Sequence, residues 1–278
     1  MLRLMKYVAF NVARSKPLNY QHVKVSIENK VAVITLNAPD VLNALSKIMV
    51  EELSAAISEV AHPDSGARCL IMTGEGRAFC AGANLAARGE AGSLPPVGHI
   101  LETHYASVMN KLRRLPFPFV SAVNGPAVGV GMSFAIMADM VVMAKSAYFL
   151  QAFANVGLIP DGGATWLLPR IVGWRRATEL SMMAERLPAE KAFEWGLINR
   201  LVEDGDVMGE AMQIAEKFAN GPFSLGLIRR AYWDSQENSF SQQLQLETEL
   251  QTQAGASADN VEGIKAFLEK RPAKFTGQ

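Results

Sequence analysis

Cysteine is nearly missing from this chain of 278 residues, which holds two, Cys69 and Cys80. Two thiols exclude a disulfide framework, and their setting, one in a buried-looking strand and one in a glycine-rich loop, fits reduced thiols in a cytoplasm. An excess of either charge is missing as well: 27 Lys and Arg offset 27 Asp and Glu. No global field therefore favours nucleic acid or an anionic membrane, and any anionic ligand must be met by local groups. The four histidines, His22, His62, His99 and His104, share no ligand spacing with cysteines or carboxylates, so no metal site is expected. No unbroken apolar run reaches the roughly 20 residues of a membrane span. What remains, 49% hydrophobic and 19% charged residues, is enough to bury a substantial core.

The opening MLRLMKYVAFNVARSKPLNY carries Arg3, Lys6 and Arg14 around a short uncharged run without a small-residue cleavage pattern. It reads as an extension, residues 1–21, rather than a secretory signal. From His22, alternation in HVKVSIE and the run VAVITL, separated by Asn29-Lys30, predict a hairpin. Ser46 is then placed to cap a helix whose apolar face would be Ile48, Leu53, Ala56, Ile57 and Val60. This strand-strand-helix unit recurs less clearly around 69–115 and 119–137. Beyond Arg170 the pattern is helical, with helices expected around 206–220, 222–235, 238–254 and 258–269, and Pro188 in a tolerated first turn.

Two stretches carry chemistry. The first is PFVSAVNGPAVGVGMSFAIMADMVVMA at 118–144, an apolar strand, a turn with glycines at 125, 129 and 131, a short helix and a second strand. A helix starting near Val130 aims unpaired N–H groups and the positive end of its dipole at a ligand, a setting that favours a negative oxygen. The second is GEGRAFCAGANL at 74–85, again after a buried-looking strand. Two such loops can each give one N–H to the same oxygen, as is needed to hold a thioester carbonyl while it becomes an enolate.

Together AFCAGANL and VNGPAVGVGMSFAIMADMVVMA resemble the crotonase superfamily, the enoyl-CoA hydratases and isomerases, from about His22 to the C-terminal FLEKRPAKF. The resemblance implies an α/β fold, a spiral of strand-strand-helix repeats over residues 22–200, and a C-terminal helical region, 201–278, that builds trimers or hexamers. It maps the oxyanion-hole donors to Ala83 and Val130. It also implies that Leu42, Asn43 and Ala44, with Ala81, Gly82, Ala83, Asn84 and Leu85, lie along the bound coenzyme A. Phe267 and Lys270 are expected near its nucleotide, one stacking and one pairing with phosphate. Coenzyme A would arrive as part of the thioester, so no separate cofactor is implied.

The family's hydratases use two glutamates, at positions that map to Ser133 and Phe153; neither is acidic here. One acid remains nearby, Asp161 in LIPDGGATW. On its local sequence it either caps the helix that follows or, as the resemblance implies, acts as a single base. The run VGLIPDGGATWLLPRIVGWRRATEL is similar to the phenylacetate-pathway isomerase subgroup. Phe153, Val156 and Trp166 are expected to wall the acid, the loop near Pro95 to cover the acyl group, and His104 and Tyr105 to lie on a helix beside it. A single carboxylate suits an isomerase, which removes a proton from one carbon and returns it to another. The expected enzyme is a cytoplasmic enoyl-CoA isomerase. The alternatives are a hydratase and a noncatalytic acyl-CoA-binding oligomer. A dinucleotide oxidoreductase fits poorly, because GVGMSF has Phe134 where that fingerprint needs Gly or Ala.

Overall fold

Asn29 and Lys30 both adopt the left-handed conformation, with φ of 50° and 67°. That is the backbone a two-residue turn needs to match the twist of its strands. The hairpin they close, β1 (Val23–Glu28) against β2 (Val31–Leu36), starts the main sheet. The computed structural model describes residues 20–84 and 97–278, with the side chains of Val97 and Ile100 left aside. Of the expected 1–21 extension only Tyr20 and Gln21 fall within it, and both are tied to the domain. The Tyr20 hydroxyl donates to Glu59 and the Gln21 N–H to Glu52. The loop near Pro95 lies outside the described residues.

Ser46 accepts from the Met49 N–H at 3.1 Å and starts α1 (Lys47–Ala61). The buried stripe is Met49, Val50, Leu53, Ala56, Ile57 and Val60, whereas Ile48 is 52% exposed. At about 100° per residue, Ile48 points away from the stripe that Leu53 and Val60 set. Burying a side chain such as Leu53 contributes roughly 1.5–3 kcal/mol.

Next come β3 (Cys69–Gly74), α2 (Val97–Ile100), a π turn at Leu101–Tyr105 and α3 (Ala106–Arg113). Then follow β4 (Phe119–Val123), β5 (Ala127–Val128), α4 (Val130–Ile136), β6 (Met140–Ala144) and β7 (Tyr148–Leu150). After these come α5 (Ala164–Val172), α6 (Trp174–Met183), β8 (Leu187–Pro188), α7 (Ala189–Glu194) and β9 (Arg200–Val202). Four helices end the chain, α8 (Val207–Ala219), α9 (Ser224–Ser235), α10 (Phe240–Gly255) and α11 (Ala258–Leu268).

The strands form a six-stranded sheet, order β1-β2-β3-β4-β6-β9, parallel after the first hairpin, and a small sheet β5-β7-β8. Parallel strands covered by helices read as continuous apolar runs, as β3 and β4 do, buried at every position. This is the expected α/β spiral with a helical C-terminal region. Two details depart from the sequence reading. The run taken as wholly helical contains β9, which pairs with β6 across residue 200, and α8 packs on β2, β3, β4 and β6. The sheet and its cover thus run past the expected boundary. Pro188 is extended (ψ 154°) and precedes α7 as its cap.

Candidate active site

Ligand sites of parallel sheets lie beyond the carboxyl ends of the strands. Here β3 and β4 end side by side in the loops that the sequence singles out. Asn124 joins the two starts: its amide donates to the carbonyls of Gly74 at 2.8 Å and Gly76 at 2.9 Å. Asn43, fully buried, binds a third loop to them, donating to Glu75 O and Ala78 O and accepting from Ala38 N–H. Its own N–H goes to Ala38 O, and its carbonyl takes the Cys80 thiol at 3.2 Å. The polar atoms of Asn43 are committed to the fold, so its part is to shape the loop rather than to touch a ligand with its side chain.

The loops then run in parallel. Leu42 accepts from Ala81 N–H, Leu45 N–H donates to Gly82 O, and Asn84 N–H donates to Leu45 O, which makes a parallel bridge of Leu45 with Ala83. In such a bridge the bonds come from the residues flanking Ala83, so the N–H of Ala83 itself points to the opposite side. On that side Cys80 bridges Ala127 in parallel, and Gly82 lies against Val128 and Gly129. Three residues past each bridge partner stand Ala83 and Val130. Val130 opens α4, so its N–H has no acceptor within the helix. Among the described residues neither the Ala83 nor the Val130 N–H has a hydrogen-bond acceptor. Ala44, half-buried, gives its N–H to Val41 O. Leu85 lies outside the described residues.

Asp161 is half-buried, with its Oδ1 shielded from solvent. It does not cap α5: the cap position is Gly163, and no side chain closes it. The next residue, Gly162, has a φ of 61°, and a Cβ there would meet Met109 Cε at 2.7 Å, Ser133 Cβ at 2.9 Å and Val130 Cγ2 at 3.1 Å. The Asp161 loop therefore rests on the first turn of α4. Phe153, buried, lies against Gly129 on the other flank. Val156 is 53% exposed and walls nothing, and Trp166 instead stacks on Trp233 at 5.8 Å.

A cavity of about 480 Å³ opens beside this loop, lined by Leu101, Tyr105, Met109, Gly162 and Gly163 among others. Tyr105 faces it and is buried. His104 turns away, its Nε2 3.9 Å from Glu51 on α1. Phe267 is 82% exposed, and Lys270 is exposed just past α11. No hydrogen bond, ion pair or ring contact among the described residues links either to the loops at 42–45 and 81–84.

Burial pushes the Cys80 thiol up to about 12, against the pull of the Gly82 backbone, so it stays protonated and is no nucleophile. Among the described residues no group of three or more His, Cys, Asp or Glu could hold a metal. None of their helices is long and apolar enough to cross a membrane. The arrangement can do one kind of chemistry well. Two uncommitted N–H donors on neighbouring loops can receive a carbonyl oxygen that gains charge, with one carboxylate and an apolar cavity beside them.

The chain belongs to the enoyl-CoA hydratase/isomerase family, whose model matches residues 26–278. It is 42% identical to the 1,2-epoxyphenylacetyl-CoA isomerase of Escherichia coli K12, over 91% of this chain and 97% of that protein. A Rhodobacter capsulatus protein named probable enoyl-CoA hydratase is 41% identical, over 94% of this chain and all of the other. The crystal structure of enoyl-CoA hydratase from Bacillus anthracis superposes with a TM-score of 0.87 at 31% identity, over 93% of this chain and all of that one. The chain is an enzyme of this family, with an epoxyphenylacetyl-CoA isomerase among its near relatives.

The sequence reading missed Asn124 and Ser133. Asn124 stood inside a motif read for its glycines. Ser133 drew notice only as the site of a lost glutamate, although a serine inside a short buried helix must satisfy its hydroxyl somewhere.

Proposed function

We propose that the protein is an enoyl-CoA isomerase that shifts a double bond with Asp161 as its single base. The N–H groups of Ala83 and Val130 hold the thioester oxygen as it becomes a dienolate. The Asp161 carboxylate takes a proton from one carbon, and the acid so formed returns it to another, so that substrate and enzyme end with the protons they began with. The observation that carries this reading is the contact of Gly162 with Val130 and Ser133, which sets the loop of Asp161 on the first turn of α4. The lack of a carboxylate at Ser133 and Phe153 supports migration over hydration, and the shielding of Asp161 Oδ1 counts against a noncatalytic binder.

On the same reading coenzyme A, carried by the substrate, runs past Leu42, Ala44 and the 81–84 loop, with Phe267 and Lys270 meeting its nucleotide. The enzyme is taken to be a cytoplasmic homotrimer or hexamer. Exposed apolar side chains on the outer helices, among them Met182, Tyr232, Phe240, Val261 and Leu268, support an assembly that covers them. The test is a panel of straight-chain and aryl-bearing enoyl-CoA thioesters, scored separately for double-bond migration and for hydration. Asp161→Asn should lower migration by about 10²–10⁴ with coenzyme A affinity nearly kept. Near-normal migration by that variant would end the base assignment, and hydration outpacing migration would favour the hydratase.

A further inference from the structure

We propose that Ser133 is a positioning residue for the base: its hydroxyl fixes the Asp161 peptide on α4, so that one short helix sets both the oxyanion donor and the carboxylate. This rests on Asp161 being the base.

Ser133 is fully buried on α4. A serine inside a helix ordinarily returns its hydroxyl to the carbonyl four residues back. Here that contact, to Gly129 O, is long at 3.5 Å, and the good bond leaves the helix for the Asp161 carbonyl at 2.9 Å. The same carbonyl accepts the Ala164 N–H at 3.1 Å, from the first residue of α5. Two donors from two helices hold one carbonyl, and because the peptide unit is planar they fix the orientation of the whole Asp161–Gly162 unit. Gly162 then presses on Val130 and Ser133, which lie three apart and share a face of α4. Neither contact touches the carboxylate, yet both decide where the Asp161 Cα stands relative to the Val130 N–H. The packing also explains why serine suits position 133. With Gly162 this close, a glutamate there would have to displace the loop that carries the remaining acid.

The test is a double-mutant cycle on an active thioester. Ser133→Ala should lower kcat by about 10–100-fold, the cost of a slightly misplaced group, with KM within about twofold. In an Asp161→Asn background the same substitution should change the residual rate little, because its effect passes through the carboxylate. Ser133→Ala at wild-type kcat, or an equal loss in both backgrounds, would overturn the proposal. If Asp161→Asn itself keeps full turnover, it is the base assignment that fails. Should the alanine variant not fold, Ser133→Cys, which preserves the volume and a weak donor, carries the same cycle. A loss that vanishes without Asp161 supports the positioning role, and one that persists refutes it.

Discussion

Gly131 lies directly on Cys80: a Cβ at Gly131 would stand 2.5 Å from the Cys80 carbonyl oxygen and 2.8 Å from its sulfur. This contact presses the second residue of α4 onto the loop that leads to Ala83, and so sets the spacing of the two N–H donors. Gly131→Ala should push them apart and lower kcat by at least about 10-fold, since misplacements near 1 Å have such costs. Overpacking should also destabilise the fold by about 1–3 kcal/mol. Steady-state kinetics beside thermal unfolding checks both, and a variant with full turnover would show that the spacing does not depend on this contact.

A second prediction concerns stability alone. Arg229 is buried in α9, its Nε 2.7 Å from Asp139 and its other nitrogens donating to the carbonyls of Leu112, Arg113 and Leu115 at the end of α3. Asp139 in turn receives the Phe119 N–H at the start of β4. Arg229→Met should cost about 3–5 kcal/mol, because it leaves a carboxylate without its counter-charge and takes a donor from each of three carbonyls. Asp139→Asn in the same chain should recover part of that loss. Urea unfolding measures it, and an unchanged midpoint for Arg229→Met would refute it.

What the sequence made legible was local. Asn29-Lys30 closed its hairpin, Ser46 capped its helix, and the two glycine-rich loops met, because each feature follows from a few adjacent residues. What stayed hidden depended on partners far along the chain. Whether Asp161 caps α5 could not be decided by a motif in which Gly163 fits the cap as well. The hydroxyl of Ser133 finds its acceptor 28 residues away. The helix-like run around β9 became a strand because β6 offered an edge, a tertiary choice that three residues cannot announce. Asn43 belongs to the same group: a motif near a ligand loop does not reveal that its side chain is spent on Ala38, Glu75 and Ala78.

The C-terminal tail should loosen in acid. Burial pushes the Asp259 carboxyl up, but the N–H groups of Thr276, Phe223 and Gly277 and the Thr276 hydroxyl pull it down further, so it lies below the ordinary carboxylate value. A depressed folded-state value means that this stabilisation is fully present above the unfolded pKa, about 3.9. It is lost as pH falls from there through the folded value. Amide protection across residues 272–278, taken relative to the intrinsic exchange rate at the same pH, should therefore fall below about pH 4, where the unfolded-state carboxyl begins to bind its proton. In Asp259→Asn the protection of the tail should be low at every pH. Protection that is equal in the variant and the parent would contradict the clamp.

The proposed pair of N–H donors permits a test that separates a lost donor from a broken fold. Val130 is the first residue of α4, the one helical position where proline is at home, because its N–H has no intrahelical acceptor to lose and its fixed φ suits the turn. The residue before it, Gly129, has φ 55° and ψ −127°, outside the right-handed helical region that a following proline disfavours. Val130→Pro should thus fold with its helix intact while one of the two uncommitted donors disappears. If that N–H stabilises the enolate oxygen, kcat should fall by about 10²–10³, as for the loss of one donor from other oxyanion holes. Coenzyme A itself, which offers no thioester carbonyl to the hole, should bind as before. The loss of the Val130 methyls from Gly162 is controlled by Val130→Ala, which keeps the N–H and should retain most of the turnover. Equal losses in the proline and alanine variants would assign the effect to packing and remove Val130 from the hole.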